Sequence, residues 1–318
     1  MQQHIIHFLK TNENFLSGEE ISRSLNISRA GIWKHIEDLR RQGYDIEAVP
    51  HLGYRLRSCP DKLLPGEIAY NLGTKIIGQQ VIYHDKVQST MDEAFRLGME
   101  GIAEGAVVCA EAQAKGRGRL GRNWNSIKSK GIYMSVILRP KLPLSKMAQM
   151  TLMAAVALAE AIESASGVVP LIKWPNDLLV NDNKLAGILT ELRAEVDQVK
   201  FIVLGIGLNV NHSDSQLVEG ATSLKQETKH QVSRTILMQA ILRSLEKWYL
   251  CLSRDGFLPV LDRWKERTAT LKKRVRLTDA AGVIEGVATD LDTDGGLLIR
   301  QDTGVIIKKM AGDVLLLR

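Results

Sequence analysis

Polar and apolar positions in the first sixty residues fall into three short helical patterns and one strand pair. Residues 2–10 read as an amphipathic helix. A second helix starts at Ser17, because Ser17-x-x-Glu20 is a capping box that satisfies two free backbone N–H groups. It ends near Leu25, and Asn26-Ile27-Ser28 form the turn, with Ser28 placed to cap a third helix. Ile32, Ile36 and Leu39 recur at i, i+4 and i+7 and mark its buried face, and Gly43 stops it. Two β-like runs, 44–49 and 54–56, then flank Pro50-His51-Leu52-Gly53, the residues of a hairpin tip. Helix-turn-helix followed by a β wing is a winged-helix pattern.

After a linker holding Pro60 and Pro65, β-like runs (81–84, 107–111, 132–138, 171–173, 178–180, 201–204) alternate with helical patterns to about residue 270. The Ala/Leu/Met-rich helix over 151–164 must be largely buried, and two more helices follow over 233–252 and 258–266. Asn181-Asp182-Asn183 is a hairpin signal, so 178–180 and 184–192 pair antiparallel. A sheet with helices on one side is predicted. From about 271, strands are punctuated by Ala281-Gly282, Asp294-Gly295-Gly296, Thr303-Gly304 and Ala311-Gly312 with no helical period, which predicts a small β-barrel. The expected fold class is α+β: a winged helix-turn-helix over 1–60, a mixed-sheet core over 66–270 and a small β-barrel over 271–318.

Composition changes this picture little. A chain of 318 residues exceeds one ordinary core, and 45% hydrophobic with 25% charged residues is globular. The most apolar run, 147–162, is broken by Gln149 and Glu160 and falls short of a membrane span. With no signal-peptide h-region at the start, no membrane partner is expected. Cys59, Cys109 and Cys251 are odd in number and far apart, which suits a reducing cytoplasm and gives no metal-ligand spacing. The net charge of +6 permits an anionic partner without requiring one. Residues 1–60 hold 8 Lys and Arg against 7 Asp and Glu, so charge alone does not point to DNA.

Candidate chemistry concentrates in three segments. Between Gln113 and Trp124, four cations and three glycines lie within eight residues, Lys115 to Arg122. Glycines let backbone N–H groups approach an anion, and arginines add bidentate donors. A solvated basic loop is the plain alternative. Gly116-x-Gly118-x-x-Gly121 matches a dinucleotide fingerprint, but no apolar helix follows and 136–139 supplies no acidic ribose partner. Second, Lys173-Trp174-Pro175-Asn176-Asp177 precedes Lys184-Leu185-Ala186-Gly187-Ile188, which sets a carboxylate between lysines or makes an ordinary ion pair. Third, Gly205-Ile206-Gly207-Leu208-Asn209 puts small residues in a strand, for a ligand or for a tight strand crossing.

Taken in order, Ser89-Thr90, GRGRLGR at 116–122, KWPND at 173–177, KLAGIL at 184–189 and GIGLN at 205–209 resemble the biotin–protein ligases. The winged helix ahead of this core resembles the bifunctional ligase/repressors of that family, whose last domain is a Src-homology-3-like β-barrel. The resemblance implies that Ser89, Thr90, Met91, Gln113, Arg117, Gly118, Arg119, Lys184, Gly187 and Gly207 bind biotin. Met91 stands where many relatives carry Asn, so only a backbone contact carries over there. Arg119, Arg122, Trp124, Asn176 and Asn209 are implied in binding ATP and the adenylate, Trp124 by stacking and Asn209 by reading the adenine edge.

The implied reaction joins the biotin carboxylate to the α-phosphorus of ATP, then passes biotin to a lysine of a biotin carboxyl carrier protein. Arg117, Arg119, Lys184 and a Mg²⁺ would offset the charge brought together. An ammonium with a pKa of about 10.4 is not nucleophilic at neutral pH. Asp177 is therefore implied to orient or deprotonate the acceptor lysine, with Lys173 easing charge on the adenylate. Ser28, Arg29, Gly31 and Lys34, at the start of the third helix, would face operator DNA in the major groove, and the adenylate-bound chain would be a homodimer. Three alternatives stand beside this: a ligase without repressor activity, a non-catalytic ligand-sensing transcription factor, and lipoate or octanoate transfer on the same core.

Overall fold

The computed structural model describes residues 1–12, 14–195 and 198–317. Three helices, α1 (Gln2–Thr11), α2 (Gly18–Leu25) and α3 (Arg29–Gln42), precede the hairpin of β1 (Asp45–Val49) and β2 (Gly53–Ser58). The expected caps are present: Ser17 Oγ accepts from Glu20 N and Ser28 Oγ from Gly31 N, while Gly43 closes α3 at φ 107°. Ile32, Ile36 and Leu39 lie in the core of this winged helix.

That core is shared with the rest of the molecule through Leu64 and Tyr83. A short helix, α4 (Pro65–Ala69), carries Glu67, which is buried and accepts from Lys10 Nζ (2.6 Å) and Tyr44 Oη (2.8 Å). The winged helix is thereby seated on the central domain.

The central sheet has seven strands: β3 (Val81–His84), β4 (Val107–Ala110), β5 (Gly131–Leu138), β6 (Leu171–Lys173), β7 (Asp177–Val180), β8 (Asn183–Glu195) and β9 (Gln198–Asn209). Their order is β3-β4-β5-β9-β8-β7-β6, parallel only between β3 and β4, so the sheet is mixed. Long helices α6 (Ala148–Ser166) and α8 (Arg234–Asp255), with α9 (Leu258–Glu266), cover one face. Successive strand residues point to opposite faces, and here Ile202, Leu204 and Ile206 join these helices while Phe201 and Val203 belong to a separate cluster. That second cluster includes Met91 and Ala94 of α5 (Thr90–Met99). Helices on one side is therefore corrected: α5 packs on the opposite face, because Val108, Ile137, Phe201 and Val203 leave an apolar patch there. A short helix, α7 (Leu224–Thr228), lies between β9 and α8.

The last strands, β10 (Arg274–Asp279), β11 (Gly282–Leu291), β12 (Leu297–Arg300), β13 (Ile306–Lys309) and β14 (Asp313–Leu316), form one antiparallel sheet in the order β13-β12-β11-β10-β14. The expected closed barrel is not formed: among the described residues β13 and β14 share no ladder. Yet only Met310-Ala311-Gly312 separates these two edges, a reach of at most roughly 14 Å, so the sheet curls strongly. A side-chain pair ties β13 to β10 across the curl. Lys309 Nζ on β13 donates to Asp279 Oδ2 on β10 at 2.7 Å.

Candidate active site

The register of five strands lines up one rung across the sheet face that carries α5: Tyr133, Gly207, Gly187, Asp177 and Lys173. The two central glycines leave a floor on which the Trp124 indole rests. A Cβ at Gly207 would stand 2.4 Å from Trp124 Cε2, and one at Gly187 would stand 3.1 Å from Cζ3. In the adjacent rung, Ser135 pairs with Gly205, against which the Met91 sulfur packs. The resulting cleft of about 580 Å³ lies within the roughly 300–1,000 Å³ range of small-molecule sites.

At one end, the start of α5 meets the sheet. Gln113 Oε1 accepts from Thr90 N (2.8 Å) and Thr90 Oγ1 (3.1 Å), its Nε2 donates to Ser126 Oγ (2.9 Å), and Ser135 Oγ donates to Thr90 Oγ1 (2.9 Å). This polar chain can present donors and acceptors to a ligand head group. Ser89 is buried behind it and does not line the cleft.

At the opposite edge, Lys184 curls back over Gly187 to pair with Asp177 at 2.7 Å, and its Nζ lies 5.6 Å from the centroid of the Trp124 ring. Lys173 sits beside Asp177, outside the cleft lining. Burial, with help from Lys184 and Arg122, lowers the Lys173 ammonium from its ordinary value, while Asp177 and Asp313 oppose this. The intervening turn holds a cis Trp174–Pro175 peptide and places Asn176, whose Nδ2 donates to Ile188 O (2.8 Å).

The glycine/arginine segment forms a tight hairpin, with Trp124 N donating to Gly116 O (2.8 Å) and Gly118 N to Arg122 O (2.7 Å). Its tip needs left-handed backbone at Leu120 (φ 55°) and Gly121 (φ 73°). Each arginine docks elsewhere. Arg117 pairs with Asp92 (2.7 Å) and Glu191 (3.0 Å), Arg119 donates to Asn176 Oδ1 (3.0 Å) and Gly312 O (3.3 Å), and Arg122 pairs with Asp313. Burial lowers the Arg119 guanidinium from its ordinary value, although Asp313 and Asp177 pull it back. Arg117, Arg119, Arg122 and Lys184 nevertheless all line the one cleft, a set of cations suited to a carboxylate and a phosphate held together.

The expected site residues are therefore brought together, apart from Ser89 and Lys173, which stand just behind the walls. Sequence reasoning missed Asp92, Glu191, Gly312 and Asp313, the partners of the loop, and His212, which lines the cleft near Asn209. No local pattern marks them, since the Arg122–Asp313 pair spans 191 residues. In the winged helix, Ser28 spends its hydroxyl on the cap, Arg29 pairs with Glu19 (2.5 Å), and Lys34 is exposed beside Trp33, another residue that sequence reasoning passed over.

A glycine-floored cleft closed by an arginine loop, behind a winged helix, is the arrangement of a DNA-binding protein ligase. Residues 83–209 match the biotin/lipoate A/B protein ligase family, residues 1–55 an HTH domain and residues 270–317 the biotin protein ligase C terminal domain. The chain belongs to the bifunctional ligase/repressor BirA family. It is 41% identical over 302 residues to the bifunctional ligase/repressor BirA of Bacillus subtilis, covering 94% of this chain and 93% of the relative. Identity to the Escherichia coli protein of that name is 31% over 311 residues, covering 96% and 94%. The fold is similar to a biotin protein ligase from Aquifex aeolicus solved with biotin and ATP. That likeness has a TM-score of 0.65 and 28% identity over 76% of this chain and 99% of that one.

Proposed function

We propose that this chain activates biotin with ATP to biotinyl-5′-AMP, transfers the biotin to a lysine of a biotin carboxyl carrier protein, and represses the biotin biosynthesis operon through its winged helix. The division into 1–60, 66–270 and 271–318 is part of the same reading. One observation carries it: the Tyr133–Gly207–Gly187–Asp177–Lys173 rung, with Lys184 above it and Arg117, Arg119 and Arg122 closing the cleft.

Biotin would lie beside the Trp124 indole, with its head group at Thr90 and Gln113. Its carboxylate oxygen bonds to the α-phosphorus and pyrophosphate leaves, while Arg117, Arg119 and Lys184 hold the developing charge. Arg122 and Asn176 would support the phosphate side, and Trp124 and Asn209 the base. In the second step the acceptor amine attacks the acyl carbon, its proton passes toward Asp177, and AMP leaves. The lowered Lys173 ammonium stands beside that departure.

Mg²⁺ would supply charge neutralisation on the phosphates. Among the described residues no three His, Cys, Asp or Glu side chains gather to hold it, and the nearby Asp177 and Asp313 are paired with Lys184 and Arg122. The residues offer no protein cage, so no step is assigned to the ion.

Among the described residues no helix is long and apolar enough to cross a membrane. Lys34, exposed on α3, and Arg29, once it leaves Glu19, are the proposed operator contacts, with Ser28 and Gly31 bringing the helix end close to DNA. Biotin-dependent ATP–pyrophosphate exchange, with lipoate as control, tests the ligase. A gel shift with the biotin operon control region separates a repressor from a ligase alone.

A further inference from the structure

His212 follows the end of β9 and lines the cleft, with its side chain almost wholly enclosed. Its Nε2 lies 3.2 Å from Tyr133 Oη, and Tyr133 already donates its one hydroxyl hydrogen to Ile127 O at 3.0 Å. The phenol oxygen can therefore only accept, so the imidazole carries its hydrogen on Nε2 and leaves Nδ1 a bare acceptor. That Nδ1 is buried and has no partner among the described residues. Burial, reinforced by Lys130 and Arg234, pushes the ring down to about 4, so it is neutral in the cell. A buried acceptor without a donor is costly unless a ligand supplies one. Nearby, Asn209 gives its Nδ2 to Thr222 O (3.0 Å) and is left with its carbonyl oxygen, a second acceptor at this end of the cleft.

We infer that His212 Nδ1 accepts a hydrogen bond from the exocyclic amino group of the nucleotide base and makes the site select 6-amino over 6-oxo purines. The inference rests on the ligase reading and specifies its nucleotide end. An amino group brings two hydrogens to the end of the cleft lined by His212 and Asn209, whose unused acceptors are Nδ1 and Oδ1, whereas a 6-oxo base brings a carbonyl to both. Tyr133 acts as a positioning residue, because its hydroxyl sets which ring nitrogen is bare.

The test is biotin-dependent pyrophosphate exchange by the full chain with ATP, purine riboside triphosphate (which lacks the amino group) and inosine triphosphate, with 2′- and 3′-deoxy-ATP as controls. The parent should show a KM for the two amino-free nucleotides about tenfold above that for ATP. His212→Leu should raise the KM for ATP about threefold to tenfold while leaving that for purine riboside triphosphate within about twofold. His212→Gln, which can donate to Tyr133 and still present an oxygen, should restore the preference. Tyr133→Phe provides a second reading if the leucine variant does not fold, and should narrow the preference severalfold. The inference is overturned if folded His212→Leu keeps the parent ratio, if it weakens all nucleotides equally, or if only the deoxy controls change. Absence of exchange with every nucleotide would instead overturn the ligase reading itself, and this inference with it.

Discussion

Lys184 Nζ lies 2.7 Å from Asp177 Oδ1, joining neighbouring strands above the glycine floor. Lys184 is about one-third exposed, so the pair is weakly held and the ammonium can turn to an arriving carboxylate or phosphate. Lys184→Ala should reduce adenylate formation by about a hundredfold to a thousandfold, the loss that follows removal of one preorganised charge-stabilising donor. Circular dichroism should be unchanged. Exchange near the parent rate would make Lys184 structural.

Arg119→Ala should loosen biotinyl-adenylate far more than ATP. Its guanidinium is held by Asn176 and Gly312 rather than by a direct ion pair. Losing its contact to the intermediate should speed dissociation by about tenfold to a hundredfold. An unchanged off-rate, followed after a chase with unlabelled biotin, would exclude the role.

Gly207→Ala should expel the Trp124 indole from the floor, because the new Cβ would meet Cε2 at 2.4 Å and Nε1 at 2.7 Å. Overpacking of this kind costs about 1–3 kcal/mol, so a few degrees of melting temperature should be lost. Biotin affinity should fall about tenfold or more in titration calorimetry. Parent-like affinity would show that biotin sits elsewhere.

His212 also bears on acid stability. Its folded value of about 4 lies below the ordinary 6.5, so the unfolded chain takes up the proton first as pH falls. Its contribution is intact above about pH 6.5 and is lost progressively towards pH 4, up to about 3 kcal/mol. Burial above all, with Lys130 and Arg234 adding to it, holds the ring neutral, and Tyr133 is its hydrogen-bond partner. Urea unfolding at pH 7.5 and pH 5 should show a smaller loss for His212→Gln than for the parent. Equal losses would mean that the ring titrates normally.

Biotinyl-adenylate should drive dimerisation, and the dimer should be the form that binds operator tightly. One winged helix with few contacts and near-zero net charge binds weakly, whereas two on a palindrome gain through effective concentration. Sedimentation at micromolar protein, with and without biotin plus ATP, measures this. A monomer in both conditions refutes it.

What the sequence revealed follows its range. Caps such as Ser17 and Ser28, the periodicity of Ile32, Ile36 and Leu39, and the turn at 181–183 are local, and each stands where the pattern placed it. The open C-terminal sheet was not legible, because strand count does not tell whether the edges β13 and β14 meet in a ladder or the curl is held only by a side-chain pair such as Lys309–Asp279 between β13 and β10. Nor was α5 on the second face, which depends on strand order. Within the site, the motifs named the glycine floor and the cations but not the acids that hold the arginines. His212 gave no signal at all, since its meaning comes from Tyr133, 79 residues away.

The grip of Gly312 and Asp313 on Arg119 and Arg122 also sets an order of events during synthesis. The loop is made about 190 residues before the groups that hold it. At roughly 5–20 residues per second that is an interval of about 10–40 s. Throughout it the winged helix has emerged and can fold, while Arg119 and Arg122 lack the partners they find at Gly312 and Asp313. The last strands of the chain thus complete the cleft as well as the sheet, long after the winged helix is finished.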